Sequence, residues 1–304
     1  MPQPIYLDWF TPHSKYGFAM KPLSHQDYPY VGHDFVLSVD TNSYGFRDDE
    51  FSIAEDSTKV RIALLGDSYL FGHGVTVAER LDTHLARVLE REGLSAEVMN
   101  CGVPGWGTRT EILFALDHLE ELRPDIVVLV FCGNDPSNDR GDVIPRFSDP
   151  DHPLYGLKRF VRNHSHVYRL GLKYRTTTRH RRGARAELAK HGTANFDAQT
   201  ASVITDEDWE RTLGMIRAFH EDFLAFNPKG QMAVLATAPD NDGIGRQLAS
   251  LTNGMDLRYL DIKEAFTAIT PEERRTPWDS HWGPKVHEIA GRAIAAWILE
   301  HHGE

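Results

Sequence analysis

Cysteine is scarce in this chain: 304 residues contain two, Cys101 and Cys132. There is no CxxC pair and no Cys/His spacing of the zinc kind, and both cysteines follow apolar runs, so the sequence predicts buried thiols and no disulfide framework. No HExxH pair occurs among the sixteen histidines, and neither a metal nor a cofactor is expected. Positive charge is also in deficit. Lys and Arg number 33 against 44 Asp and Glu, a formal charge of −11, which argues against general nucleic-acid binding. No apolar run is long enough for a membrane span. The opening MPQPIYLDWF lacks a basic stretch followed by an apolar core, so no signal peptide is read and a cytoplasmic location is expected. Neither a GxGxxG fingerprint nor a P-loop follows the first strand-like run, so a nucleotide-binding reading has no support.

What the chain does have is alternation. From Lys59 onward, short apolar runs at Val60–Leu65, 96–100, 126–132, 231–237 and 257–261 alternate with helical patterns near 77–92, 110–122, 206–226 and 284–301. Runs of this length with continuous apolar character fit strands buried on both faces of a parallel sheet. Five such strands with helices between them predict a doubly wound α/β sheet with right-handed crossovers. Residues 1–56 show little periodicity and are expected to form an irregular extension on the main domain, with a short hairpin around 35–46. Within it, the run from Asn42 to Asp48 reads as a turn pinned to the core by Tyr44 and Phe46, with a direct ligand role as the alternative. Residues 136–204 are too many for a simple connection and are expected to be a helical insert or lid. Its middle, 158–190, has eleven Lys and Arg against one acid, Glu187. That is either a solvated face or a docking surface for an anionic substrate, lipid headgroup or acidic carrier, with Arg179, Arg181 and Arg182 at its centre.

The chemistry-bearing stretches sit after the strands. Gly66-Asp67-Ser68 follows the first, Asn100 to Gly107 the second, and Cys132-Gly133-Asn134-Asp135 the third; Trp278-Asp279-Ser280-His281-Trp282 precedes the last helix. In a parallel sheet the first three share the carboxyl edge, where ligands bind. A serine just past a strand is either a plain helix cap or a nucleophile near the free N–H groups of a following helix. Asp67 and Asp135 read as turn-holding residues. His73 reads as a pocket-wall or structural histidine, and Trp106 and Trp282 as walls of an acyl pocket or as packing.

These four segments, in this order, resemble the SGNH (GDSL) hydrolase family across roughly residues 57–300. The resemblance implies a flavodoxin-like three-layer α/β/α sandwich and serine esterase chemistry with no cofactor. It makes Ser68 the nucleophile, His281 its base and Asp279 the acid that orients His281. The oxyanion donors it implies are the backbone N–H groups of Ser68 and Gly105 and the side-chain amide of Asn134. Two places depart from the common pattern. Trp278 stands three residues before His281, where many members have the acid, and Cys132 stands where the third block usually has glycine. The implied substrate is a small-molecule, lipid or glycan ester. An O-acyltransferase with the same site, or a non-catalytic glycan- or partner-binding module, are the alternatives.

Overall fold

The computed structural model describes residues 9–30, 33–52, 59–139, 196–197, 202–252, 255–278 and 280–301. Where an irregular extension was expected, the described residues form two antiparallel hairpins. Strands β1 (Phe10–His13) and β2 (Gly17–Met20) form one, and β3 (His25–Pro29) and β4 (Val36–Asp40) the other. The expected hairpin around 35–46 is therefore corrected: β4 pairs backwards with β3. The segment after it is a tight turn, in which the Asn42 Oδ1 accepts the N–H groups of Tyr44 and Phe46, each at 3.0 Å. An asparagine carboxamide that takes backbone donors in this way competes with continued strand pairing.

The central sheet is parallel throughout. Its strands are β5 (Val60–Gly66), β6 (Ala96–Gly102), β7 (Ile126–Phe131), β10 (Gln231–Ala236) and β11 (Leu257–Leu260), in the order β11-β10-β7-β5-β6. Two-residue strands β8 (Phe196–Asp197) and β9 (Ser202–Val203) pair with each other apart from it. The helices are α1 (Leu81–Arg91), α2 (Thr108–Leu122), α3 (Asp135–Asn138), α4 (Asp206–Phe226), α5 (Asp242–Leu251), α6 (Lys263–Ala268) and α7 (Pro284–His301). Alternate residues of β5 point to opposite faces, as strand pleating requires. Val60, Ile62 and Leu64 join a core with α1, α6 and α7. Ala63 and Leu65 join a second core with α2, α4, α5 and the aromatic residues of the hairpins. The result is the three-layer α/β/α sandwich of flavodoxin-like strand order, whose ligand crevice falls at the switch point between β5 and β7.

The hairpins pack on the α2 side of the sandwich. Trp9 lies 5.7 Å from Phe71 between ring centroids, and Phe46 meets Phe114 edge to face at 4.8 Å. Tyr16 donates its hydroxyl to Asp117 at 2.6 Å. Cys101 and Cys132 are free, buried thiols. Among the described residues, no helix is long and apolar enough to cross a membrane. Most of the basic insert, with Arg179, Arg181 and Arg182, lies outside the described residues.

Candidate active site

The strand register brings the motif loops to one level. Gly66 at the end of β5 stands opposite Gly102 of β6 and Val130 of β7, so the chain leaves all three strands at the same edge. Ser68 follows within two residues. A side chain on Gly102 would meet the Phe71 backbone nitrogen at 2.5 Å; glycine there lets the turn that carries Ser68 pass directly over β6. No α-helix starts at Ser68, contrary to the expectation of a following helix. Residues 68–74 wind through successive turns, with Phe71 N–H donating to the Asp67 carbonyl at 3.0 Å and His73 N–H to the Ser68 carbonyl at 3.1 Å. The first α-helix begins only at Leu81. Asp67 holds this turn as expected, since its Oδ1 accepts the Tyr69 N–H at 2.9 Å.

His281 arrives from the far end of the sequence. Its Nε2 lies 2.9 Å from Ser68 Oγ, within hydrogen-bond distance. Two indoles fasten its loop to the body of the protein. Trp278 donates to the Gly74 carbonyl at 3.0 Å, and Trp282 donates to the Thr237 carbonyl at 2.8 Å. Trp278 also stacks flat on Phe35 at 4.3 Å. The imidazole itself lies between Tyr69, at 4.9 Å, and His73, at 4.6 Å between ring centroids. Asp279 lies outside the described residues.

Gly105 is exposed, with φ of +87°, a backbone conformation that strains any other residue. Asn134 is half-buried and precedes α3. Both follow strands adjacent to β5. Trp106 and Trp282 are 2% exposed, with indole N–H groups given to backbone carbonyls of Phe18 and Thr237. Both are enclosed side chains, in keeping with the packing alternative of the sequence reading. His73 is 5% exposed and hydrogen-bonded through Nε2 to the Tyr30 hydroxyl at 3.0 Å.

Sequence reasoning read Asp67 and Asp135 as turn residues and missed Glu111 and Asp139, the other members of a buried acidic group. Asp135 is fully buried; its Oδ2 accepts the Cys132 N–H at 2.9 Å and the Thr108 hydroxyl at 3.0 Å. Glu111 is 1% exposed, and neither of its oxygens has a hydrogen-bond partner among the described residues. Burial pushes the Asp67 carboxyl upward. Burial, reinforced by neighbouring carboxylates, holds Asp135 and Glu111 well above the ordinary range. Burial alone raises Asp139 to about 6, against hydrogen bonds from Arg109 and Thr212 that lower it. Burial also raises the Cys132 thiol. Asp67, Cys132 and Asp135 bring metal-ligand atom types within 4.8 Å of one another; Asp67 Oδ1 and Asp135 Oδ2 are already taken by the backbone N–H groups of Tyr69 and Cys132. One signal for Glu111 was available: it shares the helical stripe of Ala115, Leu119 and Leu122, where an acid is out of place.

A serine paired with a histidine at the carboxyl edge of a doubly wound parallel sheet is the layout of an α/β serine hydrolase. The model of the GDSL-like Lipase/Acylhydrolase family matches residues 64–289, most of the chain, and the chain belongs to that family. It is thus a serine hydrolase of the SGNH type. Similar solved structures include a Clostridium thermocellum family 3 carbohydrate esterase, at 14% identity over 80% of this chain and 96% of that one, with a TM-score of 0.46. A lipase/acylhydrolase from Enterococcus faecalis is 16% identical over 79% of this chain and 95% of that one, TM-score 0.45. The structure titled TesA is 11% identical over 79% and 98%, TM-score 0.49. These similarities are too distant to bear on substrate. No curated protein shows significant sequence similarity to the chain.

Proposed function

We propose that the protein hydrolyses a carboxylic ester of a small molecule through an acyl-enzyme on Ser68. A serine hydroxyl is a weak nucleophile at neutral pH and needs a base. His281 Nε2, 2.9 Å from Ser68 Oγ, is placed to take that proton as the oxygen attacks the ester carbonyl. The carbonyl oxygen becomes the oxyanion, met by the N–H groups of Ser68 and Gly105 and by the Asn134 amide. Collapse breaks the bond to the alcohol, which leaves with the proton from His281. Water then attacks the acyl-enzyme, giving its proton to His281, and the carboxylic acid departs as Ser68 recovers its hydrogen. Asp279 is assigned the task of accepting the second ring N–H of His281, which fixes the tautomer and favours the imidazolium.

The observation that carries this reading is the Ser68–His281 contact between residues 213 positions apart in sequence. The test is intact mass after exposure to a fluorophosphonate probe. One adduct on the wild type is expected, none on Ser68→Ala, and slow formation on His281→Ala. An adduct that survives Ser68→Ala removes Ser68 from the reaction.

A further inference from the structure

We infer that His73 is a positioning residue for His281, acting as an aromatic brace that keeps the imidazole aimed at Ser68. The inference rests on the Ser68–His281 reading above. The torsion that turns a histidine ring has a broad, roughly two-fold profile, so packing must choose the ring's angle. Here the ring has two aromatic neighbours, Tyr69 at 4.9 Å and His73 at 4.6 Å between centroids. His73 meets it edge to face, at 70° between planes and 4.6 Å between centroids. Both braces come from the same turn as the nucleophile. That couples the base to Ser68 mechanically, although His281 reaches the site on a separate loop.

The brace needs its own angle fixed. His73 is 5% exposed and hydrogen-bonded through Nε2 to Tyr30, which is 2% exposed. Tyr30 is in turn packed against Tyr28 at 5.1 Å and Phe35 at 5.5 Å, and Phe35 stacks on Trp278 of the His281 loop. The contacts form a ring from the nucleophile's turn through the second hairpin to the loop of the base. A residue so enclosed does not touch substrate; it acts through the orientation of His281.

Two double variants that share Tyr30→Phe separate a brace from mere packing. In His73→Phe/Tyr30→Phe the aromatic edge stays while both polar partners leave together, which avoids a stranded buried hydroxyl. In His73→Leu/Tyr30→Phe the edge is lost and the volume kept. With p-nitrophenyl acetate, the Phe pair is expected to keep kcat within about fivefold of wild type. The Leu pair is expected to lose about 10- to 100-fold in kcat, the scale of a mis-set catalytic group, with KM moved by less than about twofold. Equal kcat in the two variants overturns the brace, and so does a change confined to KM, which would make His73 a substrate contact. Equal loss in both also overturns it, because then the polar bond and not the ring edge matters. Fluorophosphonate labelling of the wild type is read first: failure to label sinks the Ser68 reading itself, independently of either variant.

Discussion

Arg47 donates from Nη1 to the Gly72 carbonyl at 2.9 Å. The same guanidinium reaches the carbonyls of Phe71 at 3.3 Å and Val75 at 3.2 Å. One buried side chain from the turn after β4 thus holds the stretch between Ser68 and α1. Burial brings the Arg47 pKa down to about 9, a measure of what its enclosure costs. Replacement by Met would leave three carbonyls without that donor. Arg47→Met is expected to lower stability by about 2–4 kcal/mol in urea unfolding and to reduce ester turnover. An unchanged midpoint would show that water replaces the guanidinium at no cost.

Asn134 contributes a neutral amide where charge is proposed to develop. Asn134→Ala should lower kcat about a hundredfold or more with little change in KM, since the donor is needed chiefly in the transition state. A loss seen only in KM would place the amide on ground-state substrate instead.

The buried acids predict an unusual pH dependence of stability. The folded-state pKa of Glu111 is raised by burial above the unfolded value of 4.5. Between those two values the folded state binds more protons than the unfolded state, so stability is full below pH 4.5 and falls as pH rises. Glu111→Gln removes this dependence. Its thermal midpoint relative to wild type should therefore improve from pH 4 to pH 8 by several degrees, about 2–4 °C for each kcal/mol in a chain of this size. A constant difference across that range would mean the carboxyl is ionised in the folded state at no cost.

His287 predicts the opposite slope at the acid end. It is 1% exposed, has no hydrogen-bond partner at either ring nitrogen among the described residues, and burial lowers its pKa from 6.5 to about 3. The unfolded chain takes the proton first, so stability is lost as pH falls from 6.5 towards 3. His287→Phe should recover about 2 kcal/mol at pH 5 relative to pH 8, read as the difference in denaturant midpoints at the two values.

The sheet was legible because its strands are continuous apolar runs: Ile126–Phe131 is Ile-Val-Val-Leu-Val-Phe, buried at every position. The start of α7 was legible from Pro284 at its first turn. α5 was not anticipated, because Gly243 and Gly245 make its first turn read as loop; Asn241 starts it by accepting the N–H groups of Gly243 and Ile244. The hairpins were hidden for a different reason. β1 and β3 each contain a proline and lack a clean alternation of apolar and polar residues, so their pairing is held by contacts with the body of the protein. At the site, the residue types of the serine and histidine motifs were readable. Arg47 and Tyr30 were not, since each acts through partners remote in sequence.

The change in composition before β5 looks like a seam, but Trp106 crosses it. Its indole N–H goes to the carbonyl of Phe18 in β2, and its neighbour in the chain is Gly105. A chain begun at Lys59 would leave that indole without its acceptor and would uncover Phe71 and Phe114 as well. It should emerge sticky and inactive, and adding residues 1–58 as a separate peptide is the complementation experiment this suggests. Anyone who grafts this catalytic body onto another protein, or trims it for crystallisation, should treat the two hairpins as part of the engine block rather than as a removable cover.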